Sequence, residues 1–336
     1  KSELEEMILI ITIFFIIIFG ILCYIFSEHV AAHDIKNKHY VITGGSSGIG
    51  LECAKELVKQ GANKITLMAR NEQRLKDACS LLNEERANVA NYICVDVCDE
   101  DSVEQGFAQC IERFGYFDGA ILSAGVSKPA LFDQLESSTH RWIMDVNYFG
   151  VLYCTKACIK YMLSPCRLNE MGQQVDQPPK IGSLGRVLFI SSMAGMSGVA
   201  GFSAYSPSKF AVRGLAEVLQ MEYRPKGLLF SVVNPPDVDT PMYEEEMKSK
   251  PTACRLISEG SGLFSAEKVA SDIIEGLKRW SFFISTGFDG IMTGSLGAGT
   301  SPAHNPFIVF AETLGLGVIR FVALGYLWKF NRICSK

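Results

Sequence analysis

Tyr205 and Lys209 stand four residues apart in a stretch, Ala204 to Glu222, whose pattern predicts a helix. At that spacing both side chains leave the same helical face. A phenol titrates near pKa 10, so a neighbouring ammonium is what would let it exchange a proton near neutrality; lowering it by roughly three units takes about 4 kcal/mol. A Tyr-x-x-x-Lys pair alone is common, and its specificity comes from what precedes it. Ser192 lies thirteen residues before Tyr205, closing a predicted strand, and Asn147 falls in Asp145-Val146-Asn147 within a long predicted helix. The C-terminal end of a parallel strand is where open α/β folds put their ligands, so Ser192 stands in such a place, and Asn147 adds a polar group.

A second constellation handles phosphate. Thr43-Gly44-Gly45-Ser46-Ser47-Gly48-Ile49-Gly50 follows the first predicted strand and opens the first helix after it. Glycines let the backbone turn sharply, and the helix N-terminus faces a pyrophosphate with its free N–H groups. A Gly-rich run by itself would be weak; in a strand–turn–helix setting it predicts a dinucleotide site built from Gly44, Ser46, Ser47, Gly48, Ile49 and Gly50. The second strand ends Ala69-Arg70, where a site for NAD would place an acid on the ribose. A guanidinium there suits a 2′-phosphate, so NADPH or NADP is the expected cofactor. Asp96, after the third strand, is placed to meet the adenine amino group.

The elements that must position these groups alternate. Strands are predicted at Tyr40–Thr43, Lys64–Ala69, Tyr92–Val95, Ala120–Leu122, Arg186–Ile190, Leu228–Val233 and Phe282–Ser285, with amphipathic helices between them, such as Ile49–Gln60 and Glu267–Trp280. That alternation predicts an α/β, doubly wound (Rossmann) parallel sheet over residues 38–285. Ser164 to Gly185 is polar and predicts a surface insertion, whereas Gly-rich Thr286 to Thr300 predicts a mobile loop.

Residues 7–26 are an uncharged run of twenty, about 30 Å as a helix and long enough to cross a bilayer. A cleaved signal peptide is the alternative, with Val30-Ala31-Ala32 as a tolerable cleavage site, but the preceding flank carries Glu3, Glu5 and Glu6 instead of a basic cluster. Lys36 and Lys38 follow the run, which places the main domain in the cytosol. Within residues 286–336 the stretch Pro306 to Trp328 is also apolar but holds Glu312 and Arg320. It predicts a partly embedded helix or hairpin in the membrane, or a helix packed on the domain. A net charge of −4 gives no footprint for nucleic acid, and eleven scattered cysteines without Cys-x-x-Cys pairs predict reduced thiols and no metal site.

With these motifs in place, the chain resembles the short-chain dehydrogenase/reductase family over about residues 38 to 285, including Ser123-Ala124-Gly125 after the fourth strand. The resemblance implies that Tyr205 protonates a ketone as hydride arrives, Ser192 orients the carbonyl, Lys209 holds the nicotinamide ribose and lowers the Tyr205 pKa, and Asn147 positions a water. It also implies that Pro235 and Thr240 border the nicotinamide, although Pro235-Pro236 stands where the family often has Pro-Gly. One branch matches further, through Tyr205–Gln220, the run from Asn234 to Pro241, Arg255 to Glu259 and Phe288-Asp289-Gly290. That branch implies a long-chain keto-amine lipid substrate, the cytosolic face of the endoplasmic reticulum, and pairing of copies through the helices carrying Asn147 and Tyr205. Steroid or retinoid ketones are the alternative substrates, and a non-catalytic NADPH-binding membrane scaffold is the alternative of a different class.

Overall fold

Short runs rich in Val, Ile, Leu and Phe become strands buried on both faces, because helices cover the sheet above and below. The computed structural model describes residues 2–26, 30–165, 167, 181–299, 301–302 and 306–335. In it β1 (His39–Thr43), β2 (Lys64–Ala69), β3 (Ala90–Cys94), β4 (Gly119–Leu122), β5 (Gly185–Ile190), β6 (Leu228–Asn234) and β9 (Phe283–Ser285) form one sheet. Its order is β3-β2-β1-β4-β5-β6-β9, and every neighbour pair is parallel. A small parallel pair, β7 (Asp237–Asp239) with β8 (Leu263–Ser265), lies outside it and has no counterpart in the sequence-based expectation.

The helices, in chain order, are α1 (Ser2–Phe26), α2 (Gly48–Lys59), α3 (Glu72–Glu85), α4 (Glu100–Phe114), α5 (Ser137–Met144), α6 (Gly150–Met162), α7 (Tyr205–Tyr223), α8 (Pro241–Ser249), α9 (Thr252–Ser258), α10 (Ala266–Arg279), α11 (Gly287–Gly297) and α12 (Pro306–Cys334). One face of the sheet packs on α4, α6 and α7 through residues such as Phe107, Cys154 and Val212. The opposite face packs on α2, α3 and α10 through Leu57, Leu82 and Ile273. The ten described cysteines are all free thiols.

One expectation changes and two are refined. The Gly-rich stretch after β9 is not a loop but α11: Gly290 and Gly294, four apart, turn a side-chain-free face onto Ser285, and that close packing overrides low helix propensity. The C-terminal segment is one continuous helix of 29 residues, not a hairpin, and it runs six residues past Trp328. It packs on α1, with the Phe19 and Phe310 rings 5.2 Å apart. Both helices are long and apolar enough to cross a membrane. The predicted long helix around Asn147 forms as α5 and α6, which run on without a break through a π-helical turn over Asp145–Phe149. Most of the predicted insertion, residues 166 and 168–180, lies outside the described residues.

Arg186 ties the segment after α1 to the domain. Its side chain starts from β5 and is buried, its guanidinium donating to the carbonyls of Leu277 and Lys278 at the end of α10 and to Ala31 at 2.7 Å. Next to it His33 donates its backbone N–H to the Lys278 carbonyl and bonds through its ring to the Tyr40 hydroxyl at 2.9 Å. Replacing Arg186 by Met leaves those carbonyls without a donor in a buried place. The expected loss is about 2 to 3 kcal/mol of stability, read as a lower unfolding midpoint of the detergent-solubilised protein; an unchanged midpoint would contradict this account of the junction.

Candidate active site

Strand order reverses direction between β1 and β4, and a crevice opens at the carboxyl ends of the strands there, as in other open parallel sheets. The first wall of that crevice is the turn between β1 and α2. Gly44 (φ 65°) and Gly48 (φ 54°) adopt left-handed backbone conformations, and a Cβ on Gly44 would stand 2.7 Å from the Ala124 nitrogen. A Cβ on Gly50 would stand 2.6 Å from the Gly44 carbonyl oxygen, so Gly50 shapes the turn from behind rather than lining the crevice. Ser47 precedes α2 without capping it by its side chain, whereas Asn71, Asp99, Thr240 and Ser265 do cap their helices. The first N–H groups of α2 therefore remain available to an anion.

Along the same crevice, Arg70 sits exposed at the end of β2 beside Arg74, a second cation that sequence reasoning missed because it lies one helical turn farther on. Asp96 accepts a hydrogen bond from the Cys98 backbone at 3.0 Å, which fixes its carboxylate at the rim. Thr240 closes the other side: its methyl would meet a Cβ on Gly48 at 3.2 Å, so the glycine turn and the loop after β6 touch. Pro235 accepts from the Met193 N–H at 3.0 Å, joining that loop to the end of β5. The resulting cavity, about 340 Å³, runs from the glycine turn past Arg70 and Asp96 to Ser192 and Lys209.

Ser192, Tyr205 and Lys209 line the inner end of this cavity. Ser192 leaves the end of β5 and its Oγ accepts from the Ala194 N–H at 3.1 Å. Tyr205 is the first residue of α7 and is 7% exposed. Burial pushes its phenol above the ordinary value and Glu246 pushes it further, against the hydrogen bond with Ser192 that holds it down. This is opposite in direction to the expected lowering by Lys209: without cofactor, the buried phenol keeps its proton. Lys209, 4% exposed, donates from Nζ to the Ile190 carbonyl at 2.8 Å and lies 5.5 Å from the centre of the Tyr205 ring. Burial lowers the Lys209 pKa to about 8, with Glu246 acting the other way.

Asn147 does not line the cavity; the π turn directs it into the core behind. Its Oδ1 accepts from the Val126 N–H at 2.8 Å, and its Nδ2 donates to the Val126 carbonyl at 2.9 Å and to Ser208 Oγ at 3.0 Å. Ser208 in turn donates to the Tyr205 carbonyl at 2.7 Å. The amide thus clamps the segment after β4 to the first turn of α7. Gly125 fits between them, since a Cβ there would lie 3.3 Å from Asn147 Oδ1 and 3.5 Å from Lys209 Nζ. Val126, Ser208 and Phe202 are parts of the site that sequence reasoning did not assign; Glu246 stood in the sequence only as one of several acids, with Asp237, Glu244, Glu245 and Glu259, that could meet a substrate ammonium or serve as surface charge.

The model for the short chain dehydrogenase family matches residues 38–251. A 3-dehydrosphinganine reductase of Danio rerio is 38% identical over 334 residues, covering 98% of this chain and 95% of that protein. A 3-ketodihydrosphingosine reductase of Mus musculus is 38% identical over 327 residues, 96% of this chain and 93% of that one. The enzyme of the same name from Dictyostelium discoideum is 32% identical over 89% of each chain. Among solved structures, an alcohol dehydrogenase from Thermococcus sibiricus complexed with 5-hydroxy-NADP aligns with a TM-score of 0.57 at 25% identity, over 70% of this chain and 88% of that one.

The buried ammonium has a measurable consequence. With a folded-state pKa of about 8, below the ordinary 10.5, Lys209 is charged in both states below pH 8 and neutral in both above 10.5. Between these limits the unfolded chain binds the extra proton, so this residue's contribution to stability rises with pH across that window. Lys209→Met, measured without cofactor, is expected to be stabilised relative to wild type below pH 8, with the gap narrowing toward pH 10.5. A gap constant in pH would show that Lys209 titrates normally.

Proposed function

The chain belongs to the short-chain dehydrogenase family, and from that footing we propose that it reduces 3-ketosphinganine to sphinganine with NADPH, attached to a membrane. The supporting observation is near-end-to-end similarity to reductases of that activity, in a chain that keeps a complete hydroxyl, phenol and ammonium set at the end of the cleft behind the glycine turn. Arg70 and Arg74 at the rim, with Ala69 where an acid would meet the ribose, favour the cofactor that carries a 2′-phosphate. A related structure with 5-hydroxy-NADP bound supports the same choice.

The uncapped start of α2 and the turn Gly44–Gly50 would hold the pyrophosphate, Asp96 the adenine, and Lys209 the nicotinamide ribose. When bound, the nicotinamide supplies the hydride for the carbonyl carbon. Ser192 Oγ and the Tyr205 hydroxyl take the ketone oxygen between them. Tyr205, protonated because it is buried, gives its proton to that oxygen as the oxygen turns into an alcohol. The Lys209 ammonium, close to the ring, stabilises the phenolate left behind. Asn147 keeps Val126 and Ser208 in place under this exchange, alongside the water-positioning part expected of it.

A second cavity of about 540 Å³ meets the first at Ser192, Phe202 and Pro235–Asp237. Its walls include Met193, Met196, Met292, Leu296 and, from α12, Leu316 and Leu327. An apolar space opening from the reacting end toward a membrane-length helix suits the alkyl chain of a lipid ketone. Insertion of α1 and α12 in the endoplasmic reticulum membrane, with the domain in the cytosol, and pairing of two copies complete the proposal. A steroid or retinoid ketone would fill the same apolar space but has no use for the buried carboxylate of Glu246 beside Tyr205.

Detergent-solubilised protein given 3-ketosphinganine and NADPH is expected to release sphinganine, followed by mass spectrometry. Tyr205→Phe should lower the rate about 10²- to 10⁴-fold while NADPH affinity persists. Arg70→Ala should weaken NADPH, not NADH, by about 10- to 100-fold, the range for one charge-assisted bond. Absence of product from a protein that binds NADPH would remove the substrate assignment; equal use of both cofactors would remove the role of Arg70.

A further inference from the structure

Two carboxylates flank the inner end of the cleft, and one of them has no cation of its own. Asp237 pairs with Lys250, Oδ2 to Nζ at 2.7 Å, the lysine side chain being fully enclosed and lying against the Phe202 and Tyr243 rings. Lys209 spends its hydrogen bond on the Ile190 carbonyl. Glu246, on α8, is 7% exposed and lines the cofactor-side cavity together with Tyr205 and Phe202. Among the described residues no ammonium or guanidinium forms an ion pair with it. Beside it the buried Ser127 hydroxyl favours the ionised carboxylate. Burial pushes its carboxyl up, against the Ser127 hydroxyl and the Lys250 and Lys209 ammoniums, neither of which forms an ion pair with it.

We propose that Glu246 is the group that receives the ammonium of a 2-amino-3-ketone substrate and so determines selectivity for amino ketones. The inference rests on the substrate assignment made above and deepens it. In such a ketone the nitrogen is borne by the carbon next to the carbonyl, so its partner must stand close to the groups that hold the carbonyl oxygen. Glu246 does: its charge is felt at both Tyr205 and Lys209. It borders the cofactor-side cavity and not the apolar one, which Ser192 and Phe202 share. A substrate with its tail toward α12 and its carbonyl at Ser192 therefore presents its amino end to Glu246. Binding has a further effect: the arriving ammonium offsets the carboxylate that raises the Tyr205 phenol, so the substrate's own charge frees the proton it receives.

The test compares full-length wild type, Glu246→Gln and Glu246→Asp on 3-ketosphinganine and on the same ketone lacking the amine, 1-hydroxyoctadecan-3-one, with NADPH affinity measured by fluorescence titration. Wild type is expected to prefer the amino ketone in kcat/KM. Gln should reduce that preference about 10- to 100-fold, the range for one charge-assisted bond, and Asp should restore part of it. Equal use of the two ketones by wild type overturns the proposal without any variant. So does a Gln variant that binds NADPH and loses both activities in the same proportion, since that marks a role in packing or in proton transfer. Wild type that turns over neither ketone while binding NADPH would instead remove the substrate assignment itself.

Discussion

Lys209 carries its ammonium into the protein interior, and the surroundings are arranged to tolerate it. Its hydrogen bond runs to the Ile190 carbonyl, which is accessible because β5 ends there and the ladder with β6 finishes at the Ile190–Val233 register. Burial still wins, lowering the pKa to about 8. A cation so placed is most stable beside a negative charge or acceptor oxygens that the site can acquire: a phenolate on Tyr205, or the hydroxyls of a cofactor ribose. The same burial acts in the other direction on Tyr205, keeping the phenol neutral. Opposed shifts on neighbouring groups leave a protonated acid next to an ammonium that favours its ionised form, which is the arrangement a ketone reduction requires at its start and at its end.

That arrangement depends on backbone placement more than on the reactive groups. A π turn adds a residue to the helical repeat, so α5 and α6 need not share one face toward the sheet. The freedom is used to turn Asn147 inward, where it bonds both backbone groups of Val126 and the Ser208 hydroxyl. Through Ser208 this clamp reaches the Tyr205 carbonyl, and through Gly125 it abuts Lys209. Three separate chain segments are thereby held against one another beneath the point where a carbonyl would sit. A regular helix through Asp145–Phe149 would carry Asn147 off this line.

Much of this was legible in the residue order. The seven sheet strands were located to within about two residues because a doubly covered parallel strand leaves a dense apolar run between polar turns. Tyr205, Lys209, Ser192 and the glycine turn were recognisable because each has a fixed position relative to a strand or helix end. What escaped was set by tertiary contact. Glycines 290 and 294 lower helix propensity, and only the close approach to Ser285 makes them a reason for α11 to form. The π turn has no composition of its own. The direction of the Tyr205 shift depends on how deeply the ring is enclosed and on Glu246, forty-one residues away in the chain. A spacing of four shows which groups are neighbours, not how much water remains between them.

The two cavities bear on how a lipid ketone could be handled. Each methylene moved from a bilayer to water costs about 0.8 kcal/mol, so a long-chain substrate would not leave the membrane freely. Arg320 is an awkward residue for a helix in lipid, yet it lines the second cavity together with Leu316 and Leu327. A charge facing a protein-lined space escapes the penalty of facing hydrocarbon. With α12 forming one wall of the apolar cavity and packing on α1, the membrane attachment proposed above would let the alkyl chain pass from lipid to protein without full exposure to water. The polar head then advances along a gradient of chemistry: methionine and leucine first, the Ser192 and Tyr205 hydroxyls next, and the buried carboxylate of Glu246 beyond them. On this view the terminal helices do more than tether the domain. They supply the apolar half of a site whose polar half is built by the sheet, and neither half alone matches an amphipathic ketone.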